Sequence, residues 1–223
     1  PNYQLGEVLR ENYGDNFLDK FSDFCETPIA AASIGQVHKC QYGNQYLILK
    51  IQYPKIRESI ESDINNIRLL TNNLGILPKS FDFEKLLEAG RNQLLNETDY
   101  HLEAKYQKRF YQLLKTDKKF SVPKICEPLT TTKILAMEYK EGVTIDQVVH
   151  FNQKTKNSII NCLVELAFKE IFEFKLIQTD PNFANFLYDE KSKKIILLDF
   201  GATSKISRKN IRVFKNILIG IAL

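Results

Sequence analysis

Two short strings near the C-terminal end constrain this chain more than any other feature. Asp180-Pro181-Asn182-Phe183-Ala184-Asn185 sets a carboxylate and a carboxamide in an Asp-x4-Asn spacing, and Asp199-Phe200-Gly201 begins fourteen residues after Asn185. Between them, Phe186 to Tyr188 and Ile195 to Leu198 read as short strands around the charged turn Asp189 to Lys194. A hairpin of this kind brings Asn185 and Asp199 to adjacent strand ends. An amide oxygen and a carboxylate placed together there suit Mg²⁺, which prefers hard oxygen ligands. An aspartate just upstream of that asparagine can reach a nucleophile. Phosphoryl transfer asks little more of a protein than metal ions held against phosphate oxygens and an oriented acceptor. Asp-Phe-Gly alone arises by chance; joined to Asp-x4-Asn at this spacing it gains weight.

A second signal is Lys50, inside the apolar run Leu47-Ile48-Leu49-Lys50. An unpaired ammonium in such a strand is costly, and phosphate-pairing lysines of protein kinases occupy this kind of strand with a helix glutamate as partner. Taken alone, Lys50 also fits a charged guard on an edge strand. Upstream, the pattern Gly-x-Gly-x-x-Gly-x-Val falls on Ala30, Ala32, Gly35 and Val37, so only the third glycine stands. Alanine adopts positive φ at a cost and its methyl group holds backbone amides away from phosphates. A true glycine-rich cradle is absent.

The rest of the chain supplies the frame. Residues 1 to 26 read as helical about Leu5, Leu9, Phe17, Leu18 and Phe21; Ile34 to Cys40 and Gln45 to Gln52 read as a hairpin around Tyr42-Gly43-Asn44. Ile56, Ile60, Ile64, Ile67 and Leu74 make one helical stripe. Phe83 to about Leu114 is helical, with a break expected near Gly90 or Asn96. Val122 to Glu127 and Lys133 to Tyr139 return to strand character, and helix resumes after Gly142 to about Phe174. The 223 residues suffice for two small lobes. The pattern, strands with one inserted helical block followed by helices and then short strands around a loop, suggests an N-lobe sheet on a helical C-lobe.

Thirty-one basic against twenty-seven acidic residues leave a charge of +4, too mild and scattered to indicate nucleic acid. Cys25, Cys40, Cys126 and Cys162 share no metal-ligand spacing and fit a reducing compartment; His38, His101 and His150 add no zinc pattern. No apolar run approaches the ~20 residues that span a bilayer. The chain starts at Pro1 rather than Met and reads as a piece of a longer protein.

Four strings together resemble the UbiB family of atypical kinase-like proteins: Pro28-Ile29-Ala30-Ala31-Ala32-Ser33-Ile34-Gly35-Gln36-Val37-His38, Lys50-Ile51-Gln52-Tyr53-Pro54, Glu97-Thr98-Asp99-Tyr100 with Glu103-Ala104, and Gln178-Thr179-Asp180-Pro181-Asn182-Phe183-Ala184-Asn185-Phe186. The resemblance covers about residues 20 to 205, and the Gln-Thr-Asp-Pro-Asn form is similar to the mitochondrial branch that supports coenzyme Q biosynthesis. It implies an α+β, protein-kinase-like two-lobe fold, with an N-lobe of sheet and inserted helices over residues 1–138 and a helical C-lobe over 139–223 that is incomplete at its C-terminus. It also implies an ATP and Mg²⁺ site. In it Lys50 pairs with phosphates, Glu103 is its helix partner, Asp180 is the catalytic-loop aspartate, and Asn185 and Asp199 hold the metal. Ala30, Ala31, Ala32, Ser33, Gly35 and Val37 border the nucleotide, and Met137, Glu138 and Lys140 line the adenine slot. Glu97 and Asp99 match the family's Glu-x-Asp motif. On a continuous helix Asp99 and Glu103 share a face while Glu97 points away, so a break or a separate partner is expected.

The family's Lys-x-Gly-Gln motif does not occur in these residues, nor does an Ala-Pro-Glu motif after Asp199. Ordinary protein-kinase activity is therefore not the expectation. The resemblance implies an ATPase or atypical phosphotransferase on the matrix side of the mitochondrial inner membrane. Its partners would be coenzyme Q biosynthesis enzymes, their lipid intermediates and the membrane surface, with no nucleic acid. Two alternatives stay open: a non-catalytic nucleotide-dependent scaffold or lipid-binding chaperone, and a small-molecule kinase.

Overall fold

The computed structural model describes residues 2–74, 82–180 and 182–222; Pro181, within the Asp-x4-Asn string, lies outside them. The chain forms two compact units, one of residues 1–105 and 125–139, the other of residues 106–124 and 140–223.

The first unit opens with helix α1 (Asn2–Tyr13). Gly14 ends it with φ 87°, its amide donating to the Arg10 carbonyl, so the helix stops well short of residue 26. Strands β1 (Asp23–Phe24), β2 (Ala30–Ala32), β3 (Gly35–Tyr42) and β4 (Gln45–Gln52) follow. Helices α2 (Ile56–Leu74), α3 (Phe83–Glu97) and α4 (Tyr100–Leu114) come next, the unit boundary falling inside α4 after Lys105. Strand β5 (Phe120–Ser121) belongs to the second unit, and β6 (Ile134–Glu138) returns to the first. The sheet runs β1-β3-β4-β6, with β2 added on β3, and every pairing is antiparallel.

Strand alternation divides the core. Leu47, Leu49, Ile51, Ile134 and Ala136 pack on one face with Leu5, Val8 and Leu9 of α1. Leu135 and Met137 pack with Ile48, and with Tyr100 and Ala104 of α4, in a separate cluster. Ile60 and Ile64 of α2 meet Leu87 of α3, while Ile67 of the same stripe is exposed.

In the second unit β7 (Val143–Thr144) precedes a 3₁₀ turn, Ile145–His150, and helix α5 (Gln153–Phe168). Helix therefore starts ten residues later than the pattern suggested: Asn152 sets it, accepting from the Thr155 amide at 2.9 Å. A π-helical turn, Lys169–Phe174, ends at Lys175 in a left-handed conformation, φ 56°. Strands β8 (Leu176–Gln178), β9 (Phe186–Asp189), β10 (Lys194–Leu197) and β11 (Thr203–Lys205) and helix α6 (Arg208–Ala222) complete the unit. One sheet has the order β5-β10-β9-β7, with β5 parallel to β10, and β11 pairs with β8. Phe110, Phe200, Leu166, Ile195 and Leu197 lie in its core.

The expected strand at Val122 to Glu127 is not formed. Pro123 lacks an amide for a ladder, and past β5 the segment makes only an isolated bridge, Ile125 to Met137.

Candidate functional site

Within the first unit, register places Lys50 opposite Val37 on one side and Leu135 on the other. Directly paired residues share a face, so Lys50 stands on the α4 side of the sheet. There its Nζ donates to Glu103 Oε1 at 2.7 Å, with side-chain exposures of 9% and 5%. A break between α3 and α4 makes this meeting possible. It falls at Thr98–Asp99, just past the expected Asn96, and Asp99 caps α4 by accepting from the His101 amide at 3.0 Å. Gln52, two residues beyond Lys50, donates through Nε2 to the Thr98 carbonyl at 2.8 Å and so pins the break to the sheet. Glu97 ends α3 while Asp99 caps α4, which separates the two acids of the Glu-x-Asp motif by a change of helix.

The alanine string is a strand rather than a loop. Ala30, Ala31 and Ala32 pair with Val37, Gln36 and Gly35, leaving Ser33 and Ile34 as a two-residue turn. Gly35 keeps its identity for a packing reason: a Cβ there would lie 2.2 Å from the Ile51 carbonyl oxygen. Met137 is buried in β6 and Glu138 ends that strand. Tyr139 donates its amide to the Tyr46 carbonyl, and its ring lies beneath Lys39 Nζ, 4.0 Å from the centroid. Lys140 begins the second unit's later stretch.

The second unit holds Asp180, Asn185 and Asp199. Strand β8 leads into Asp180, and its partner β11 follows Asp199-Phe200-Gly201. Thr179 donates twice to the Ala202 carbonyl, from its amide at 2.9 Å and its Oγ1 at 2.7 Å. Asn182 accepts from the Ala184 amide and starts the turn that carries Asn185. Asn185 Nδ2 donates to Asp180 Oδ2 at 3.2 Å, which turns its own Oδ1 away from that contact. The Leu198 amide donates to the Asn185 carbonyl at 3.0 Å, so the backbones that carry Asn185 and Asp199 are adjacent. Asp199 Oδ1 accepts from the Gly201 amide at 3.0 Å. Phe200 is fully buried, its ring 5.0 Å from Phe110.

Among the described residues no group of three or more His, Cys, Asp or Glu side chains could hold a metal. Magnesium does not need one. It takes one or two protein carboxylates with water and phosphate oxygens, and an amide oxygen beside a carboxylate fits that demand.

Sequence reasoning passed over Glu170 and gave His38 no role beyond its place in the alanine-rich string. Glu170 is 4% exposed in the π-helical turn and accepts from both the amide and Nε2 of Gln178; burial pushes its carboxyl up to about 7. With Lys169, Glu173 and Lys175 around it, Glu170 is one charge among several in the sequence, and nothing local marks it out. His38 is fully buried, stacks on Phe24 and bonds through Nδ1 to the Cys25 carbonyl; burial lowers its pKa.

The family model for the ABC1 atypical kinase-like domain matches residues 1–223. The chain is 41% identical over 219 residues to the mitochondrial atypical kinase COQ8 of Saccharomyces cerevisiae, covering 98% of this chain and 44% of that protein. It is 39% identical to COQ8 of Schizosaccharomyces pombe, covering 100% of this chain and 37% of that one. It therefore spans less than half the length of these relatives. A solved structure, the Rv3197–erythromycin complex from Mycobacterium tuberculosis, is 28% identical with a TM-score of 0.81, covering 92% of this chain and 52% of that one. Matched along its whole length by the family model and about 40% identical to these relatives over nearly all of its residues, the chain belongs to the ABC1 atypical kinase-like family.

Proposed function

We propose that the chain binds Mg-ATP and hydrolyses it, or transfers its phosphoryl group to a small or lipid acceptor, in support of coenzyme Q biosynthesis. The buried Lys50–Glu103 pair carries this reading. A buried ion pair stabilises a fold weakly or not at all compared with apolar residues of the same shape, so its presence points to a use for an ammonium held ready. Lys50 serves the nucleotide phosphates and Glu103 fixes its direction. Asn185 and Asp199 hold magnesium, which when bound neutralises charge on the triphosphate. Asp180, steadied by Asn185, orients the acceptor hydroxyl or water. Ala30 to Ser33, Gly35 and Val37 border the nucleotide, and Met137, Glu138 and Lys140 face the base. Glu97 and Asp99 supply the Glu-x-Asp motif, which in the family meets a Lys-x-Gly-Gln helix.

The COQ8 relatives are named mitochondrial, and we place the protein with them, on the matrix side of the inner membrane, with coenzyme Q enzymes and lipid intermediates as partners. Among the described residues no helix is long and apolar enough to cross a membrane.

A nucleotide-dependent scaffold is the second reading, favoured by the β2–β3 ladder, which ties up backbone that a glycine-rich loop would leave for phosphates. Two assays decide. The full-length protein should release phosphate from Mg-ATP, and Asp180→Asn should lower turnover at least a hundredfold while binding persists. It should also restore coenzyme Q in a Saccharomyces cerevisiae strain lacking COQ8. Binding without turnover in the parent selects the scaffold; neither binding nor restoration rejects both.

A further inference from the structure

The segment that carries Asp180 is anchored from two directions, and one anchor is chemically unusual. On the Asp199 side, Thr179 gives two hydrogen bonds to the Ala202 carbonyl. On the helix side, Gln178 is gripped by Glu170: the Gln178 amide donates to Oε2 at 3.0 Å and its Nε2 donates to Oε1 at 3.1 Å. Both carboxylate oxygens are used, and a carboxylate only accepts. The amide face of Gln178 is therefore fixed as well as its backbone.

Glu170 is 4% exposed, and among the described residues it makes no ion pair with a cation. Burial raises its pKa, and the two bonds from Gln178 are what oppose that rise. A lone buried carboxylate is costly where leucine would simply pack. Its local backbone is also irregular: α5 widens into a π-helical turn that contains Glu170, and the chain then reverses at left-handed Lys175 so that β8 runs back past it. Such widened turns often occur at functional sites. Cost and irregularity converge on one contact, two residues before Asp180.

We infer that Glu170 is a positioning residue for the Asp180 loop, its two-point grip on Gln178 setting where the Asp180 carboxylate stands. The inference rests on the proposed role of Asp180. Glu170 touches no reacting atom in this account; it acts through Gln178.

The test uses the full-length protein with Glu170→Leu and Glu170→Gln, assayed for ATP turnover. Glu170→Leu should lower kcat at least tenfold with KM for Mg-ATP within threefold of the parent. Glu170→Gln should regain most of the turnover, because its oxygen still accepts from the Gln178 amide and the Gln178 side chain can turn over to accept from its nitrogen. A folded Glu170→Leu protein with parental kcat, or a loss as deep in Glu170→Gln, overturns the inference. Should Glu170→Leu fail to fold, Gln178→Leu replaces it: it removes one of the two bonds, and an unchanged kcat again overturns the inference. Should the parent itself show no turnover, the ATPase reading fails while positioning is still read by amide hydrogen exchange. Thr179 should then exchange at least tenfold faster in Glu170→Leu than in the parent, with β9 and β10 still protected. Unchanged Thr179 exchange contradicts the inference.

Discussion

Lys50 Nζ meets Glu103 Oε1 at 2.7 Å with both side chains buried, although 53 residues separate them in the chain. Two helices, α2 and α3, are threaded between strand and partner, and the chain still returns Glu103 to the Lys50 face. The return depends on the Thr98–Asp99 break, which Gln52 ties to the same strand that carries Lys50.

The pair should behave as a buried ion pair under mutation. Glu103→Leu removes the carboxylate that Lys50 Nζ meets at 2.7 Å within the fold, and should destabilise the protein by about 3–5 kcal/mol. The double variant Lys50→Met, Glu103→Leu should recover most of that loss while abolishing any effect of Mg-ATP. Urea unfolding of the singles and the double gives the coupling; additive losses would show that the two side chains do not interact.

Gly35 is held by space rather than by backbone conformation. With Ile51 O 2.2 Å from where a Cβ would stand, Gly35→Ala must push β3 from β4 at the Gly35–Gln52 pair. The expected cost is about 1–3 kcal/mol, read as a lower urea midpoint with an unchanged slope. Gly90→Ala is the control, since nothing lies within 4 Å of its added methyl; it should leave stability unchanged or raise it.

Stability should carry the signature of Glu170. Its carboxyl is raised from an ordinary 4.5 to about 7 in the folded chain. Below pH 4.5 both folded and unfolded forms are protonated and its burial is tolerated. As pH climbs from 4.5 to 7 the unfolded chain gives up the proton first and stability falls. Above 7 the deficit is complete, on the order of 3 kcal/mol. His38, kept neutral by burial, acts in the opposite sense, destabilising as pH falls; it is common to parent and Glu170→Gln and cancels in their difference. That difference, measured by denaturation from pH 4.5 to 8, should move in favour of Glu170→Gln as pH rises. A flat difference would contradict the assignment.

Much of the site was legible because its chemistry sits in short, local strings. Asp180 to Asn185 and Asp199 to Gly201 are joined by a hairpin whose strands the sequence shows to within a residue. Lys50 stood out as a charge in an apolar strand. What escaped the sequence depends on tertiary pairing. Ala30 to Ala32 carry no alternation, so nothing local marks them as a strand; β3 makes them one. Strands β8 and β11 have three residues each, too short for a period to register. The helix break moved from Asn96 to Thr98–Asp99 because a bond from distant Gln52 fixes it there. Residues 106–124 join the second unit through Phe110, Phe120 and Val122, an attachment visible only in packing. Glu170 looked like one charge among many in a helical run until Gln178 folded back onto it.

Mg-ATP binding through Asp199 and its neighbours is read by thermal unfolding of the full-length protein. The protein is melted with Mg-ATP, with ATP and a chelator, and with neither, beside the Asp199→Asn variant. At a hundred times its Kd, a ligand stabilises the native state by about 2.7 kcal/mol, a clear rise in Tm. The rise should require magnesium and should be lost in Asp199→Asn. An unchanged Tm under every condition, or an equal rise in the variant, would contradict binding at that site.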